Sequence, residues 1–199
     1  DGAILAESRK RGTRFYRYYP TENLLAPIIG FTSLRYGKFG LEDSFNELLL
    51  GENVKRPWRE LLSNQPARGS DLVLTIDLGL QKVAAYALGK RRGAVIALDP
   101  RSGAILAMVS SPSYNPNRIE KDWLKISRDK DSPLLNRATQ GLYPPGSVFK
   151  IITAAAAIET GTVTTSSVYD GPSQLIVYGG KVTNFADQGF GTMPVTEAF

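Results

Sequence analysis

The sequence predicts an α+β fold, in which an antiparallel sheet is covered by helices and follows a small amino-terminal module. Three stretches carry that prediction. "GAVIALDPRSGAILAMVSS", residues 93–111, holds two apolar runs around "DPRSG", which has turn chemistry and places Gly103 where positive φ is needed. Both runs are apolar nearly throughout rather than alternating, which implies strands covered on both faces and helices on each side. "DLGLQKVAAYALGK", residues 77–90, is an amphipathic helix with Leu78, Leu80, Val83, Ala84 and Leu88 on its apolar side. "SVFKIITAAAAIET", residues 147–160, is apolar on almost every side, the pattern of a helix in the middle of a domain.

The remaining elements follow in chain order. Phe15, Tyr16, Tyr18 and Tyr19 suggest a short strand ending at Pro20. From Leu41 the pattern turns helical, with Leu41, Phe45, Leu48 and Leu49 recurring and Gly51 closing the element. "PWRELL" reads as a further helical turn with Pro57 at its start. Asn, Pro, Gly and Ser cluster over residues 63–71, the composition of a linker. This divides the chain into a thin-cored module over 1–66 and a larger domain over 67–199. In the larger domain "DLVLTID" reads as a strand, and Pro112 and Pro116 deny "SPSYNPN" regular structure. A polar helix near residues 118–128 follows. "SQLIVYGGKVTNF" reads as a hairpin turning at Gly179-Gly180, and "PVTEAF" as the start of a helix.

Composition narrows the chemistry. Among 199 residues there is neither cysteine nor histidine. Disulfides, thiolate nucleophiles and thiolate metal sites are excluded together, and a zinc site would need carboxylates alone. A Ser-His-Asp triad is likewise excluded, so a serine nucleophile must find another base. No run of about 18 apolar residues is present to span a bilayer, and the opening "DGAILAES" begins as a processed chain would. The net charge of +5 and pI near 9.4 carry little weight. The densest basic clusters, "RKRGTR" and "GKRRG", are short and sit in no recognisable nucleic-acid module, so no nucleic-acid partner is expected.

The helix at 147–160 carries the sharpest local signal. Ser147, Lys150 and Thr153 are spaced by three and share one narrow stripe. An ordinary reading makes Ser147 an N-cap after "PPG" and lets Lys150 reach solvent along the first turn. A chemical reading notes that an ammonium buried among apolar faces is costly, so Lys150 would be neutral or tightly hydrogen-bonded. Such an amine can take a proton and arm a hydroxyl, and a helix N-terminus offers amide donors to a developing oxyanion. The two readings compete for one oxygen, since a hydroxyl committed to capping is not free to attack.

"YPPGSVFK" resembles the S-x-x-K signature of the penicillin-binding proteins, in the form typical of the monofunctional class B transpeptidases. "RGAVIALDPRSGAILAMVSSPSYNPN" is similar to the hairpin before that family's active-site helix, "LLNRATQGLYPPGS" to the approach to its serine, and "LVLTIDLGLQ" to the start of its transpeptidase domain. "GFTSLRYGKFGLEDSFNELLLGE" resembles its pedestal, including a G-L-E element at Gly40, Leu41 and Glu42. "RYYP…LLAPIIGFTSLRYG" is similar to the short-pedestal subgroup of Gram-positive and actinobacterial lineages.

The resemblance implies a small pedestal or dimerisation-like module followed by the first part of a transpeptidase domain. It implies acyl transfer on peptidoglycan stem peptides ending in D-Ala-D-Ala, with Ser147 as nucleophile, Lys150 as its base, and no metal or organic cofactor. It also implies β-lactams as inhibitors, and a membrane-embedded glycan polymerase as partner. The location would be the extracytoplasmic face of the bacterial cell membrane, with an anchor amino-terminal to these residues. The family's S-x-N and K-T/S-G motifs do not occur in a suitable place after Ser147. The chain is therefore expected to be an amino-terminal fragment, inactive alone. Two other readings share the S-x-x-K spacing: a serine β-lactamase or β-lactam sensor, and a non-catalytic scaffold whose motif is only a capped helix.

Overall fold

A computed structural model describes residues 2–52 and 69–198, and the chain divides into two units, Asp1–Leu142 and Tyr143–Phe199. The predicted turn at "PWRELL", most of the 63–71 linker and the 66/67 boundary lie outside the described residues.

In the first unit, β1 (Glu7–Arg11) and β2 (Arg14–Tyr18) form an antiparallel ribbon. A short helix α1 (Ala26–Ile29) leads into a second antiparallel pair, β3 (Phe31–Ser33) with β4 (Gly37–Phe39). The predicted strand at the aromatic run is β2, whereas β1, α1, β3 and β4 are too short to show a period. The helix expected from Leu41 breaks into α2 (Leu41–Ser44) and α3 (Asn46–Leu50), because Phe45 leaves helical geometry at φ −112° and ψ 22°. Gly51 closes α3 in the left-handed region, as its position predicts.

Two glycines permit this packing. Gly30 and Gly40 both have positive φ, and their backbones nearly touch. A Cβ on Gly30 would sit 1.7 Å from the Phe39 carbonyl oxygen, and one on Gly40 would sit 2.8 Å from Gly30 N. Two residues after Gly40, Glu42 is 5% exposed. Its carboxylate pairs with Arg17 at 2.7 Å and accepts the Thr32 hydroxyl at 3.1 Å. The G-L-E element is thus a tight backbone crossing followed by a buried, fully partnered acid.

The segment at 71–77 is not a ladder strand. Its residues alternate between exposed and half-buried, as a strand with one covered face would. Among the described residues it is tied to the neighbouring segment by Asp77 N–H to the Leu106 carbonyl, at 2.9 Å, and the Thr75 hydroxyl to the Ile105 carbonyl, at 2.7 Å. Asp77 then caps α4 (Leu78–Leu88), its side chain accepting Leu80 N–H at 2.7 Å. α4 packs on the hairpin of β5 (Gly93–Leu98) and β6 (Ile105–Ser111), where Ala84, Leu88, Ala107 and Val109 make one core cluster.

The buried face of α4 differs from the expected stripe. Gln81 is fully buried, while Val83 is 63% exposed and Leu80 is also exposed. The cause is an amide clamp: Gln81 donates to the Met108 carbonyl and accepts Met108 N–H, both at 2.8 Å. The side chain occupies the place of a neighbouring strand on the free edge of β6, and that rotates Leu80 outward. Cover on both faces holds for β6, whose Ala107 to Ser110 are all buried, but not for β5, where Ile96 and Leu98 stay exposed.

A polar helix at the predicted place is α5 (Ile119–Ser127). Its Ile119 joins Tyr19, Leu25, Ala26, Ile29, Phe31 and Tyr114 in the larger core cluster. Residues from both sides of 66/67 therefore share one core within the first unit. Asn117 makes a second clamp there, accepting Tyr19 N–H and donating to its carbonyl, both at 2.9 Å.

The second unit begins with a 3-10 turn at Gly146–Phe149 that continues as α6 (Lys150–Glu159). β7 (Val168–Gly171) pairs antiparallel with β10 (Gly191–Pro194), and β8 (Gln174–Val177) with β9 (Gly180–Thr183). α7 (Val195–Ala198) begins where "PVTEAF" predicts. The β8–β9 turn sits one residue earlier than expected, at Tyr178-Gly179, both with positive φ. Gly180 is the first residue of β9, since a two-residue turn of this hand needs positive φ at both centres.

Two measurements check this account. Gly40→Ala should lower unfolding stability by about 3 kcal/mol or more in a denaturant titration, because neither the φ nor the space suits a side chain. Burial, reinforced by the Glu42 charge, pushes the Tyr19 phenol from 10.0 up to about 12, and burial pushes Tyr114 up as well. A raised folded pKa means stability that is present in full below pH 10 and lost as pH climbs towards 12. In an ultraviolet titration these two phenols should ionise last, together with loss of structure.

Candidate active site

Pro144 and Pro145 stiffen the approach, Gly146 turns it with φ 56°, and the 3-10 turn follows. In a 3-10 turn residues three apart eclipse one another. Lys150 N–H donates to the Ser147 carbonyl, so the Ser147 and Lys150 side chains leave the same side of the chain, one above the other. The capping reading of Ser147 fails on geometry. The cap positions are Pro145 for the 3-10 turn and Phe149 for α6, neither with a side-chain cap bond. Among the described residues the Ser147 hydroxyl makes no hydrogen bond, and neither does the Lys150 ammonium. Thr153, third on the stripe, is committed, donating to the Phe149 carbonyl at 3.3 Å.

The expected burial is not found. Ser147 and Lys150 are both exposed, and α6 has no buried residue. Phe149, Ile151, Ile152 and Ile158 are each more than half exposed. A helix apolar on every side needs neighbours on every side, and the two small ladders of its unit do not enclose it. Among the described residues no element encloses the Lys150 side chain.

Sequence reasoning missed the polar groups that shape the loop ahead of this turn. Asn136 and Arg137 are 7% and 4% exposed. Asn136 donates to the Pro27 carbonyl at 3.0 Å, and its Oδ1 accepts Ala138 N–H at 3.0 Å. Arg137 donates to the carbonyls of Asp131 and Ser132, and its own N–H donates to the Ser110 hydroxyl at 3.0 Å. No carboxylate pairs with Arg137 among the described residues; backbone carbonyls alone hold it. Nothing in local periodicity marks such residues: Asn136 reaches a carbonyl 109 residues away, and Arg137 is held by carbonyls of its own loop.

A cavity of about 570 Å³ lies in the first unit, between Ile28, Phe39, Leu74, Ile76 and Met108, with Asp43 at its side; it includes neither Ser147 nor Lys150. No group of acidic side chains among the described residues is placed to hold a metal ion.

Comparison with known proteins places this geometry in a family. The penicillin binding protein transpeptidase domain matches residues 93–199, and the penicillin binding protein A dimerisation domain matches residues 1–72. Peptidoglycan D,D-transpeptidase MrdA of Acinetobacter baumannii is 37% identical over 193 residues, covering 80% of this chain and 29% of the relative. Peptidoglycan D,D-transpeptidase PbpA of Mycolicibacterium smegmatis is 38% identical over 178 residues, covering 80% of this chain and 36% of the relative. The chain thus spans about a third of the length of these relatives. Penicillin-binding protein A of Mycobacterium tuberculosis, solved as an imipenem acyl-enzyme complex, superposes with a TM-score of 0.86 at 33% identity over 99% of this chain and 50% of that one. The α+β architecture is accordingly that of the solved relatives, and the chain belongs to the class B, monofunctional penicillin-binding proteins of the transpeptidase family.

Proposed function

We propose that the whole protein is a peptidoglycan D,D-transpeptidase and a β-lactam target, with Ser147 as its nucleophile and Lys150 as the base. The observation that carries this reading is the uncommitted Ser147 hydroxyl one 3-10 turn before Lys150, inside the stretch that matches the transpeptidase domain. Ser147 Oγ would attack the penultimate carbonyl of a stem peptide ending in D-Ala-D-Ala, its proton passing to Lys150 Nζ. The tetrahedral intermediate would then collapse by breaking the C–N bond, and the terminal D-alanine would leave as the amine, carrying that proton. An amine from a neighbouring strand would attack the acyl-enzyme, lose its proton to Lys150, and restore the serine. A β-lactam would acylate the same oxygen and remain on it, which accords with the imipenem acyl-enzyme solved for the mycobacterial relative.

Residues 1–66 would serve as pedestal and 67–199 as the amino-terminal part of the catalytic domain. The dimerisation match ending at 72 and the transpeptidase match beginning at 93 support a division in that region. Among the described residues no helix is long and apolar enough to cross a membrane. We place the protein at the extracytoplasmic face of the bacterial membrane, held by an anchor amino-terminal to these residues and working beside a membrane-embedded glycan polymerase.

Base duty at Lys150 would need enclosure that the described residues do not provide. The isolated chain should therefore remain unlabelled by a fluorescent penicillin; robust labelling that depends on Ser147 would refute this. In the whole protein Ser147→Ala should abolish covalent labelling, and Lys150→Gln should slow acylation by about 10²–10⁴-fold. Rapid hydrolysis of the acyl-enzyme by the whole protein would point instead to a β-lactamase.

A further inference from the structure

The basic cluster "RKRGTR", negligible as a string of letters, becomes the tip of the β1–β2 ribbon. Gly12 and Thr13 form the turn, and the register sets Arg11 opposite Arg14, Lys10 opposite Phe15 and Arg9 opposite Tyr16. Like charges directly opposed destabilise a ladder, so Arg11 facing Arg14 is unfavourable unless an anion lies between them. The ribbon's other cations are already satisfied. Arg9 pairs with Glu7 at 2.6 Å and lies 3.5 Å over the Tyr18 ring, while Arg17 pairs with Glu42. Lys10, Arg11 and Arg14 are exposed and have neither a carboxylate nor a hydrogen-bond partner among the described residues. Phe15, paired with Lys10 on the ribbon face opposite to Arg11 and Arg14, is 70% exposed at the same tip.

We propose that this ribbon tip is a docking surface for an anionic phospholipid bilayer. Lys10, Arg11 and Arg14 would lie among headgroup phosphates, relieving the Arg11–Arg14 repulsion, and Phe15 would enter the headgroup–acyl boundary. The exposed phenylalanine is what selects a bilayer over a soluble polyanion. Cations alone suffice for an inorganic polyanion, whereas a lone exposed ring at the tip of a cationic ribbon, without the groove that tracks a nucleic-acid backbone, suits a bilayer interface. At an anionic surface each cation contributes about a fivefold gain in affinity, corresponding to about 1 kcal/mol. Three cations and one ring make a contact that orients the first unit reversibly and does not anchor it. The proposal is independent of the transpeptidase reading and of Ser147.

The test is co-sedimentation of the 199-residue chain with phosphatidylcholine vesicles, with and without phosphatidylglycerol. Binding to the anionic vesicles alone is expected, falling steeply with added salt. The tip is exposed, so Arg11→Gln/Arg14→Gln should keep the circular dichroism spectrum while weakening binding by about 25-fold, two fivefold steps. Phe15→Trp should show blue-shifted emission on anionic vesicles only. Failure to bind anionic vesicles at low salt, or equal binding to neutral ones, overturns the proposal. So does binding unaffected by the double substitution. Unshifted Phe15→Trp emission together with equally tight binding to polyphosphate assigns the tip to soluble polyanions and overturns the lipid assignment.

Discussion

The side-chain amide of Gln81 joins three parts of the first unit. It saturates both backbone groups of Met108 and also donates to the Leu24 carbonyl at 3.1 Å. One residue therefore ties α4, the free edge of β6 and the amino-terminal module to one another. Buried backbone groups left unpaired are costly, which makes such a clamp strongly directional. Asn117 does the same for Tyr19, and Asn136 reaches back to the Pro27 carbonyl. The ladders here are short, two strands each, and do little to satisfy one another's outer edges. Side-chain amides take over that role, and the aromatic cluster of Phe31, Tyr114 and Trp123 fills the space they define.

Charge is partitioned by the same logic. Where a carboxylate enters the interior, as at Glu42, a guanidinium and a hydroxyl come with it. Where a guanidinium enters without a carboxylate, as at Arg137, carbonyl oxygens of its own loop surround it. Cations without either kind of partner, such as Lys10, Arg11 and Arg14 at the ribbon tip and Lys150 in the second unit, are exposed. Among the described residues the buried charges of Glu42 and Arg137 are thus partnered, and unpaired exposed ones remain available to an outside partner.

The helix carrying Ser147 and Lys150 shows the limit of reading burial from hydropathy. Its faces are apolar enough to belong inside a domain, yet the second unit leaves them exposed. Geometry and environment therefore separate. The 3-10 turn sets Ser147 and Lys150 three residues apart on one side of the chain, while their enclosure depends on elements packed against the helix.

Local chemistry was legible from the letters alone. "DPRSG" turns as its residues require: the Asp99 carboxylate accepts Arg101 N–H and the Ser102 hydroxyl, Gly103 takes φ 72°, and those bonds hold the acid below its ordinary range. The C-terminal glycine of α3, the helix at 119–127 and the three-residue spacing of Ser147 and Lys150 were equally plain, because each depends on neighbours within a turn. Tertiary structure alone decided which face of α4 is buried, since a clamp to Met108, 27 residues away, outweighs the stripe of Leu80 and Val83. It also split the helix at Phe45, bared the helix after Gly146, and made the pairing of Arg11 with Arg14 consequential. Short-range periodicity encodes propensity, whereas burial and partnership are set by groups distant in the chain, and no window along the sequence contains them.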